Sequence, residues 1–253
     1  MRTSIVSRGF NISYRAEGAG TPLVLLCGWS RWADTWWDAG YGDRLTEEYR
    51  VIAIDRLGHG ESDKPHDAAV YEPPLIVSDI VAVLDAERVD SALVWGFSMG
   101  AENAAALAML EPARVSALVC GGFAPVPSPE GRREQLLFVA ELVSTVEGVE
   151  AAARSGGLTD EEVVETLARN DAGALSASMA GTVDWEPDAV DVQAPSLWYK
   201  GSDDNAFSPD DLQLAERLGV ETHLIPGADH HGSFLRADDA LTIVRPFLER
   251  HRS

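Results

Sequence analysis

The residues best suited to covalent chemistry form the pattern G-F-S-M-G at residues 96–100. The pattern follows a short apolar run and precedes a helical pattern. At such a strand-to-helix turn the backbone of the serine is strained, and the flanking glycines let strand and helix approach each other closely. The helix N-terminus beside the serine favours a developing anion. We therefore expect Ser98 to be a nucleophile, the alternative being a tight glycine-rich turn with an idle serine.

A serine hydroxyl needs a base to take its proton, and the base needs an acid to orient it. Of the six histidines, His230 and His231 stand in a loop after the last predicted strand, and the others lie in less suitable places. Asp203 and Asp204 follow the preceding predicted strand, whereas residues 120–123, at the end of the strand before that, include no acid. Residue types and chain order alone leave both pairs of alternatives open.

The elements that must position these residues alternate between strand and helix. Residues 4–7 and 12–16 predict an opening antiparallel hairpin, and six short apolar runs predict strands buried on both faces. These runs are residues 23–26, 51–54, 92–95, 115–119, 196–199 and 222–225. Helical patterns occupy residues 33–49 (interrupted at 40–42), 75–87, 99–110, 209–218 and 236–250. The alternation predicts an α/β protein with a mostly parallel sheet and helices on both faces.

One segment interrupts this alternation. From residue 124 to about 192 there is no strand pattern, and the segment opens with Pro125, Pro127 and Pro129. Helical patterns follow at residues 132–145, 149–155, 160–170 and 175–182. Because an ordinary crossover needs only about a dozen residues, we expect residues 124–192 to be a helical insertion between the sixth and seventh strands. The core would then consist of residues 1–123 and 193–253.

Five motifs together resemble the α/β-hydrolase fold family over nearly the whole chain, especially its small capped serine hydrolases, esterases and cofactor-free haloperoxidases. L-L-C-G-W at 25–29 resembles the first oxyanion loop, D-R-L-G-H-G-E-S at 55–62 the D-x-x-G-x-G-x-S turn, and G-F-S-M-G the nucleophile elbow. G-S-D-D at 201–204 resembles the acid loop and G-A-D-H at 227–230 the histidine loop. The resemblance implies an eight-stranded, mostly parallel sheet with Ser98 as nucleophile, Asp204 as acid and His230 as base. A shift of one residue in either loop would exchange these for Asp203 or His231.

The resemblance also implies an oxyanion hole made by the backbone N–H groups of Trp29 and Met99. Where this family usually has a histidine before Gly28, the chain has Cys27, a departure that keeps both donors but alters the loop. Cys27 and Cys120 both lie in apolar runs, so we expect buried free thiols and no disulfide or metal site. The turn at residues 55–62 is expected to support the elbow and to take no part in the chemistry.

Aromatic and apolar side chains near these motifs are candidates for a substrate pocket. They are Trp29, Phe97, Phe123, Phe138, Met179 and Trp185. Trp36 and Trp37 are instead expected to join the first helix to the core. We expect a small neutral or weakly polar substrate, since aromatic groups dominate such sites.

Composition excludes several classes of partner. The chain has 253 residues with 20 Lys+Arg against 41 Asp+Glu, a formal net charge of −21. Such a surface repels nucleic acid and anionic lipid. No signal-peptide pattern and no apolar run of membrane length occurs, so we expect a cytoplasmic protein. No motif calls for a cofactor or a metal, and the sequence leaves the oligomeric state open.

The expected activity is hydrolysis of a small carboxylic ester, lactone or thioester through an acyl-enzyme. Ser98 disfavours dehalogenases and epoxide hydrolases, which use an aspartate nucleophile, and Phe97 stands where many carbon–carbon bond hydrolases carry asparagine. A carbon–carbon bond hydrolase, an amidase, a perhydrolase or a lyase on the same triad remains an alternative. A small-ligand receptor that retains the triad is the alternative from another class.

Overall fold

The computed structural model describes residues 2–126, 132–185, 189–205 and 208–252. Their strands are β1 (Arg2–Ser7), β2 (Phe10–Glu17), β3 (Pro22–Leu26), β4 (Arg50–Ile54), β5 (Ala92–Phe97), β6 (Val115–Gly121), β7 (Ser196–Gly201) and β8 (Glu221–Ile225). Their α-helices are α1 (Thr35–Asp38), α2 (Gly42–Thr46), α3 (Pro73–Ala86), α4 (Met99–Leu110), α5 (Arg132–Leu142), α6 (Val146–Ser155), α7 (Asp160–Arg169), α8 (Ala172–Ala180), α9 (Pro209–Leu218), α10 (His230–Leu235) and α11 (Ala237–Arg250).

The strands form one sheet in the order β1-β2-β4-β3-β5-β6-β7-β8. β1 and β2 make the predicted antiparallel hairpin, and β2 also pairs antiparallel with β4. Every remaining pair is parallel. The predicted eight-stranded, mostly parallel sheet is thereby confirmed. Because parallel strands end at the same edge, the loops after β3, β5, β7 and β8 meet there.

Helices cover both faces of the sheet. On one face Val24 and Val94 pack with residues of α3 and α4, and on the other Leu25 and Leu93 pack with residues of α2 and α11. Successive residues of a strand point to opposite faces, so a strand covered on both sides consists of consecutive apolar residues. This explains why the central strands could be recognised in the sequence as short apolar runs.

Three elements differ from the sequence-based expectations. The prediction that residues 222–225 are buried on both faces is wrong: β8 lies at the sheet edge beside β7 alone, and Leu224 is 47% exposed. The helical pattern at residues 33–49 is interrupted near Gly40 (φ +86°), as predicted, but its two parts, α1 and α2, are only four and five residues long. Helix α10 was not predicted, because its six residues are too few to show a helical period.

Helices α5, α6, α7 and α8 lie between β6 and β7 in the chain. Several side-chain contacts join this segment to the loop after β3, among them two hydrogen bonds. The indole N–H of Trp29 donates to the carbonyl of Leu175 in α8 (3.3 Å), and the amide of Asn170 donates to the carbonyl of Ser30 (3.0 Å). The segment therefore packs against the edge of the sheet where the motif loops meet. Pro127 and Pro129 lie outside the described residues.

No helix in the described part of the chain combines the length and the apolar character needed to cross a bilayer.

Candidate active site

Ser98 occupies the sharp turn between β5 and α4. Its backbone angles are φ +54° and ψ −126°, in the left-handed region that favours glycine. A Cβ built on Gly96 would lie 2.2 Å from the carbonyl oxygen of Gly100, and one on Gly100 would lie 2.1 Å from that of Leu26. Both positions therefore require glycine, which is the physical reason for the G-x-S-x-G spacing.

A line of hydrogen bonds runs from Ser98 through His230 to Asp204. His230 Nε2 lies 3.0 Å from Ser98 Oγ, and His230 Nδ1 lies 2.8 Å from Asp204 Oδ2. The Asp204 side chain is 6% exposed, whereas that of His230 is 46% exposed. Because Asp204 accepts from Nδ1–H, the Nε2 atom is left to accept the proton of the serine.

The neighbouring alternatives point elsewhere. Asp203 is exposed, and its carboxylate accepts from the hydroxyl of Ser202 at 2.9 Å. His231 lines the cavity above Ser98, with Nε2 3.7 Å from the Glu162 carboxylate of α7. Burial, and then the charge of Arg31, lower the pKa of His231. The structure thus brings Asp204 and His230, and neither Asp203 nor His231, into line with Ser98.

Two backbone N–H groups near Ser98, those of Trp29 and Met99, are candidates for an oxyanion hole. Gly28 packs directly on the serine, since a Cβ there would lie 3.2 Å from Ser98 Cβ. Among the described residues, no hydrogen bond uses the backbone N–H of Trp29 or of Met99, the first residue of α4. Both donors are therefore free to bind an anionic oxygen formed at Ser98.

The cysteines are free and buried, as expected. Cys27 is 2% exposed, and its thiol donates to the carbonyl of Trp32 at 2.9 Å. Burial raises the pKa of both Cys27 and Cys120 above the ordinary range of a thiol. At neutral pH neither is a thiolate, so neither is a reactive nucleophile. Within the described residues no group of three or more His, Cys, Asp or Glu side chains could hold a metal ion.

The turn after β4 is held by Asp55, which is fully buried. Its carboxylate accepts from the backbone N–H groups of Ala33 (2.6 Å) and Glu61 (2.9 Å) and from the guanidinium of Arg2 (2.6 Å). These bonds join the turn to the loop after β3. In the described part of the chain, no hydrogen bond or ion pair joins Asp55 to His59, whose ring lies 3.2 Å from the Leu57 carbonyl and 3.3 Å from the Arg56 guanidinium.

A cavity of about 180 Å³ opens above Ser98. Two of the six predicted pocket residues, Trp29 and Phe97, line this cavity. The other predicted members lie elsewhere. Phe138 is 68% exposed on α5, Met179 packs with Met99 and Ala140, and Phe123 and Trp185 pack against the core on the α3–α4 face.

The reason for this difference is that α6, and neither α5 nor α8, forms the wall of the cavity opposite the sheet. The lining residues that the sequence did not indicate as part of a pocket are Ser30, Arg31, Ala152, Ala153, Gly156, Leu158, His231 and Phe234. Alanine and glycine on a helix resemble any other helical residues in a sequence, so no pattern marked them. For His231, its place next to His230 was the one available signal.

Residues 21–172 match a family model described as the alpha/beta hydrolase fold. Since this match spans more than half of the chain, the protein belongs to that family. The resemblance seen in the sequence is confirmed.

The chain is 29% identical to Esterase YbfF of Escherichia coli over 219 residues, covering 81% of this chain and 84% of that protein. It is 33% identical to a putative 2-succinyl-6-hydroxy-2,4-cyclohexadiene-1-carboxylate synthase of Bacillus subtilis over 151 residues, covering 58% and 54%. The chain spans about half the length, or less, of several curated relatives that it matches. Among solved structures, a thermophilic esterase from Thermogutta terrifontis superposes with a TM-score of 0.84 at 20% identity, over 100% of both chains. At such low identity the superposition shows that the two proteins share a fold and nothing further.

Proposed function

We propose that this protein is a serine hydrolase that cleaves a small carboxylic ester, lactone or thioester through an acyl-enzyme. The observation that carries the proposal is the line of hydrogen bonds from Asp204 through His230 to Ser98, at 2.8 and 3.0 Å, below a cavity. The E. coli relative named as an esterase agrees with it. The reaction uses only side chains and amides of this chain together with water.

In the first half of the reaction Ser98 Oγ attacks the substrate carbonyl carbon while His230 Nε2 takes the hydroxyl proton. Asp204 stabilises the imidazolium through Nδ1–H, and the carbonyl oxygen becomes an oxyanion bound by the amides of Trp29 and Met99. When the carbon–oxygen or carbon–sulfur bond breaks, the leaving group takes the proton from His230. An acyl group then remains on Ser98.

In the second half, water attacks the acyl carbon and gives its proton to His230 Nε2. Collapse of this second tetrahedral intermediate releases the carboxylic acid and returns the proton to Ser98 Oγ. Since nearly half of the His230 side chain is exposed, solvent water can reach Nε2.

The cavity supports a small and mostly apolar substrate. Its volume of about 180 Å³ lies below the range of about 300–1,000 Å³ that is usual for pockets that hold drug-sized ligands. Trp29, Phe97 and Phe234 supply aromatic walls. The one guanidinium in the lining, that of Arg31, lies 3.4 Å from the Glu162 carboxylate, so its charge is offset. We infer that helices α5 to α8 act as a cap, with α6 limiting the length of the acyl or alcohol part.

Labelling and turnover test the proposal together. A fluorophosphonate should label Ser98, and 4-nitrophenyl acetate or butyrate should be hydrolysed over many turnovers. Both reactions should disappear in Ser98→Ala and persist in Ser78→Ala, whose hydroxyl bonds within α3 and is exposed. Turnover unchanged in Ser98→Ala would refute the mechanism.

A panel of esters, lactones and thioesters then defines the substrate class. Short neutral esters should be preferred over a dianionic ester of the same size, and the reverse preference would contradict the neutral substrate. Labelling of Ser98 without turnover of any member would instead support the small-ligand receptor.

A further inference from the structure

The guanidinium of Arg56 is buried directly beneath the loop that carries Trp29. The residue is 6% exposed and is the second of the turn after β4. It donates to Asn103 Oδ1 (3.1 Å) and to the Gly28 carbonyl (3.1 Å), and it lies 3.3 Å from His59 Nε2. All three partners are neutral acceptors, and no carboxylate among the described residues is hydrogen-bonded to this cation.

The charge of Arg56 persists at neutral pH. Burial lowers the pKa of Arg56 to about 10, which still leaves the group protonated. Burial, and then the charge of Arg56, hold the pKa of His59 well below its usual range, so His59 is neutral. Its Nδ1–H then donates to the Leu57 carbonyl (3.2 Å), and its Nε2 accepts from Arg56. The buried Glu102 carboxylate, which is ion-paired with Arg132, also acts on Arg56 through its charge and opposes the lowering of the pKa of Arg56. Burying a guanidinium that donates only to neutral acceptors is nevertheless costly, which points to a function other than stability.

The Gly28 carbonyl, which accepts from Arg56, and the N–H of Trp29 belong to the same peptide unit. A trans peptide is planar, so its C=O and N–H point in opposite directions. The described chain has no cis peptide. Since the carbonyl is held toward Arg56, the N–H of Trp29 must point away from Arg56. Within the part of the chain that the structure describes, no group accepts from that N–H, and Gly28 itself packs on Ser98.

The loop alone would hold this peptide weakly. The Gly28 carbonyl also accepts from the N–H of Arg31 in a turn, at a longer 3.3 Å. The same turn places Ser30 at φ +63°, a conformation that a residue other than glycine adopts at a cost. Relief of the strain at Ser30 would favour rotation of the Gly28–Trp29 peptide, and the hydrogen bond from Arg56 to the Gly28 carbonyl opposes this rotation.

We propose that Arg56 is a positioning residue that fixes the Gly28–Trp29 peptide with its N–H facing the oxyanion formed at Ser98. Through its charge it also polarises this peptide, which makes the N–H a stronger donor. The inference rests on the proposed hydrolase function, because it concerns the amide that would bind the tetrahedral intermediate. Arg56 acts on the reaction through Trp29 and does not touch the substrate.

The test uses Arg56→Lys and Arg56→Gln with 4-nitrophenyl butyrate. Lysine keeps the charge without the planar fork that reaches all three acceptors, and glutamine keeps a donor without the charge. A misplaced oxyanion donor should lower kcat about 10- to 100-fold in both variants, with KM changed by less than about threefold. The matched control is Arg8→Met, which removes a bidentate ion pair with buried Asp79 at the hairpin and should leave kcat unchanged.

A readout specific to the oxyanion separates positioning from a general loss of structure. A boronic acid forms a tetrahedral adduct with Ser98 Oγ, in which one boron-bound oxygen takes the oxyanion position. Its inhibition constant should rise by the same factor as kcat falls, while that of butyramide, a ground-state competitor, stays unchanged. Unchanged kcat in folded Arg56 variants, or equal weakening of both inhibitors, would overturn the inference.

If both Arg56 variants fail to fold, a crystal structure of the wild-type boronate adduct tests the positioning role of Arg56 instead. The backbone N of Trp29 should lie within hydrogen-bonding distance of the adduct oxygen while Arg56 still donates to the Gly28 carbonyl. A Gly28 carbonyl turned toward the adduct would overturn the proposal. If turnover is lost in Ser98→Ala but remains full in Arg56→Gln, only the role of Arg56 is rejected. If turnover remains full in Ser98→Ala, the hydrolase function and this inference are both rejected.

Discussion

Replacing Asp204 by asparagine tests whether this carboxylate orients and stabilises His230. The change removes the charge 2.8 Å from His230 Nδ1 and alters little else in size. An ion pair with charge centres about 4 Å apart near a protein surface is worth about 4 kcal/mol, and each 1.36 kcal/mol is a factor of ten in rate. That sets an upper limit of about 1,000-fold on the electrostatic loss.

Solvent reduces this limit, because 46% of the His230 side chain is exposed and water can replace part of the lost stabilisation. An asparagine amide can also donate to Nδ1 and hold the imidazole in the wrong tautomer, which acts in the opposite direction. We therefore expect kcat to fall about 100- to 1,000-fold, with little change in KM, for 4-nitrophenyl butyrate.

The neighbouring aspartate supplies the matched control. Asp203→Asn removes the same charge one residue away, from an exposed carboxylate that bonds Ser202, and should leave kcat within about twofold. Steady-state kinetics of both variants, with circular dichroism to verify folding, makes the comparison. A large loss in Asp203→Asn with near-normal activity in Asp204→Asn would refute the assignment of the acid.

Three further outcomes are expected. Burial and then the charge of Arg56 lower the pKa of His59. As the pH falls below about 6.5, His59 therefore takes up a proton in the unfolded state and stays neutral in the folded state. The contribution of His59 to the free energy of unfolding should therefore be full above that pH and smaller by about 1.4 kcal/mol at pH 5.5, measured by urea unfolding as the difference between the wild type and His59→Gln, and the same pH slope in both proteins would contradict this. Ala152→Leu, in the cavity lining, should lower kcat/KM for butyrate and longer esters more than for acetate, and an equal effect on all chain lengths would speak against α6 as the limiting wall. Asn170→Ala removes the bond to the Ser30 carbonyl and should lower kcat several-fold while lowering the free energy of unfolding by about 1 kcal/mol, whereas a normal kcat would show that the loop keeps its shape without this bond.

Much of the fold was predictable because each central strand is covered on both faces. Residues 92–95 and 115–119 are apolar throughout for that reason, and they appear as β5 and β6. Strand β8 did not follow the rule, since an edge strand has a neighbour on one side only and keeps exposed residues such as Leu224. Whether a strand is central or at the edge depends on pairing between distant segments, which the local pattern does not contain.

The site was predictable to a different degree. Ser98 is marked locally, because steric limits at Gly96 and Gly100 impose their own spacing. Phe138 and Trp185 were expected near the substrate because they are aromatic and lie in the insertion, yet the structure places one in solvent and the other against the core. The side that a helix between β6 and β7 turns toward the cavity depends on how the helix packs with the sheet edge. Helix α6 presents Ala152 and Ala153 there, and Gly156 follows them.

The sequence by itself therefore determined the class of fold, the strained serine turn and the chain order of the serine, acid and histidine motifs, because each motif and each strand or helix pattern consists of residues close together in the chain. Only the tertiary structure decided that Asp204 and His230 face Ser98 while Asp203 and His231 do not, since a shift of one residue in a loop reverses the direction of a side chain. It also revealed Arg56 beneath the Gly28 carbonyl, a contact between segments 28 residues apart. Contacts of this kind arise when strands β3 and β4 pair side by side, and no local pattern in the sequence encodes them.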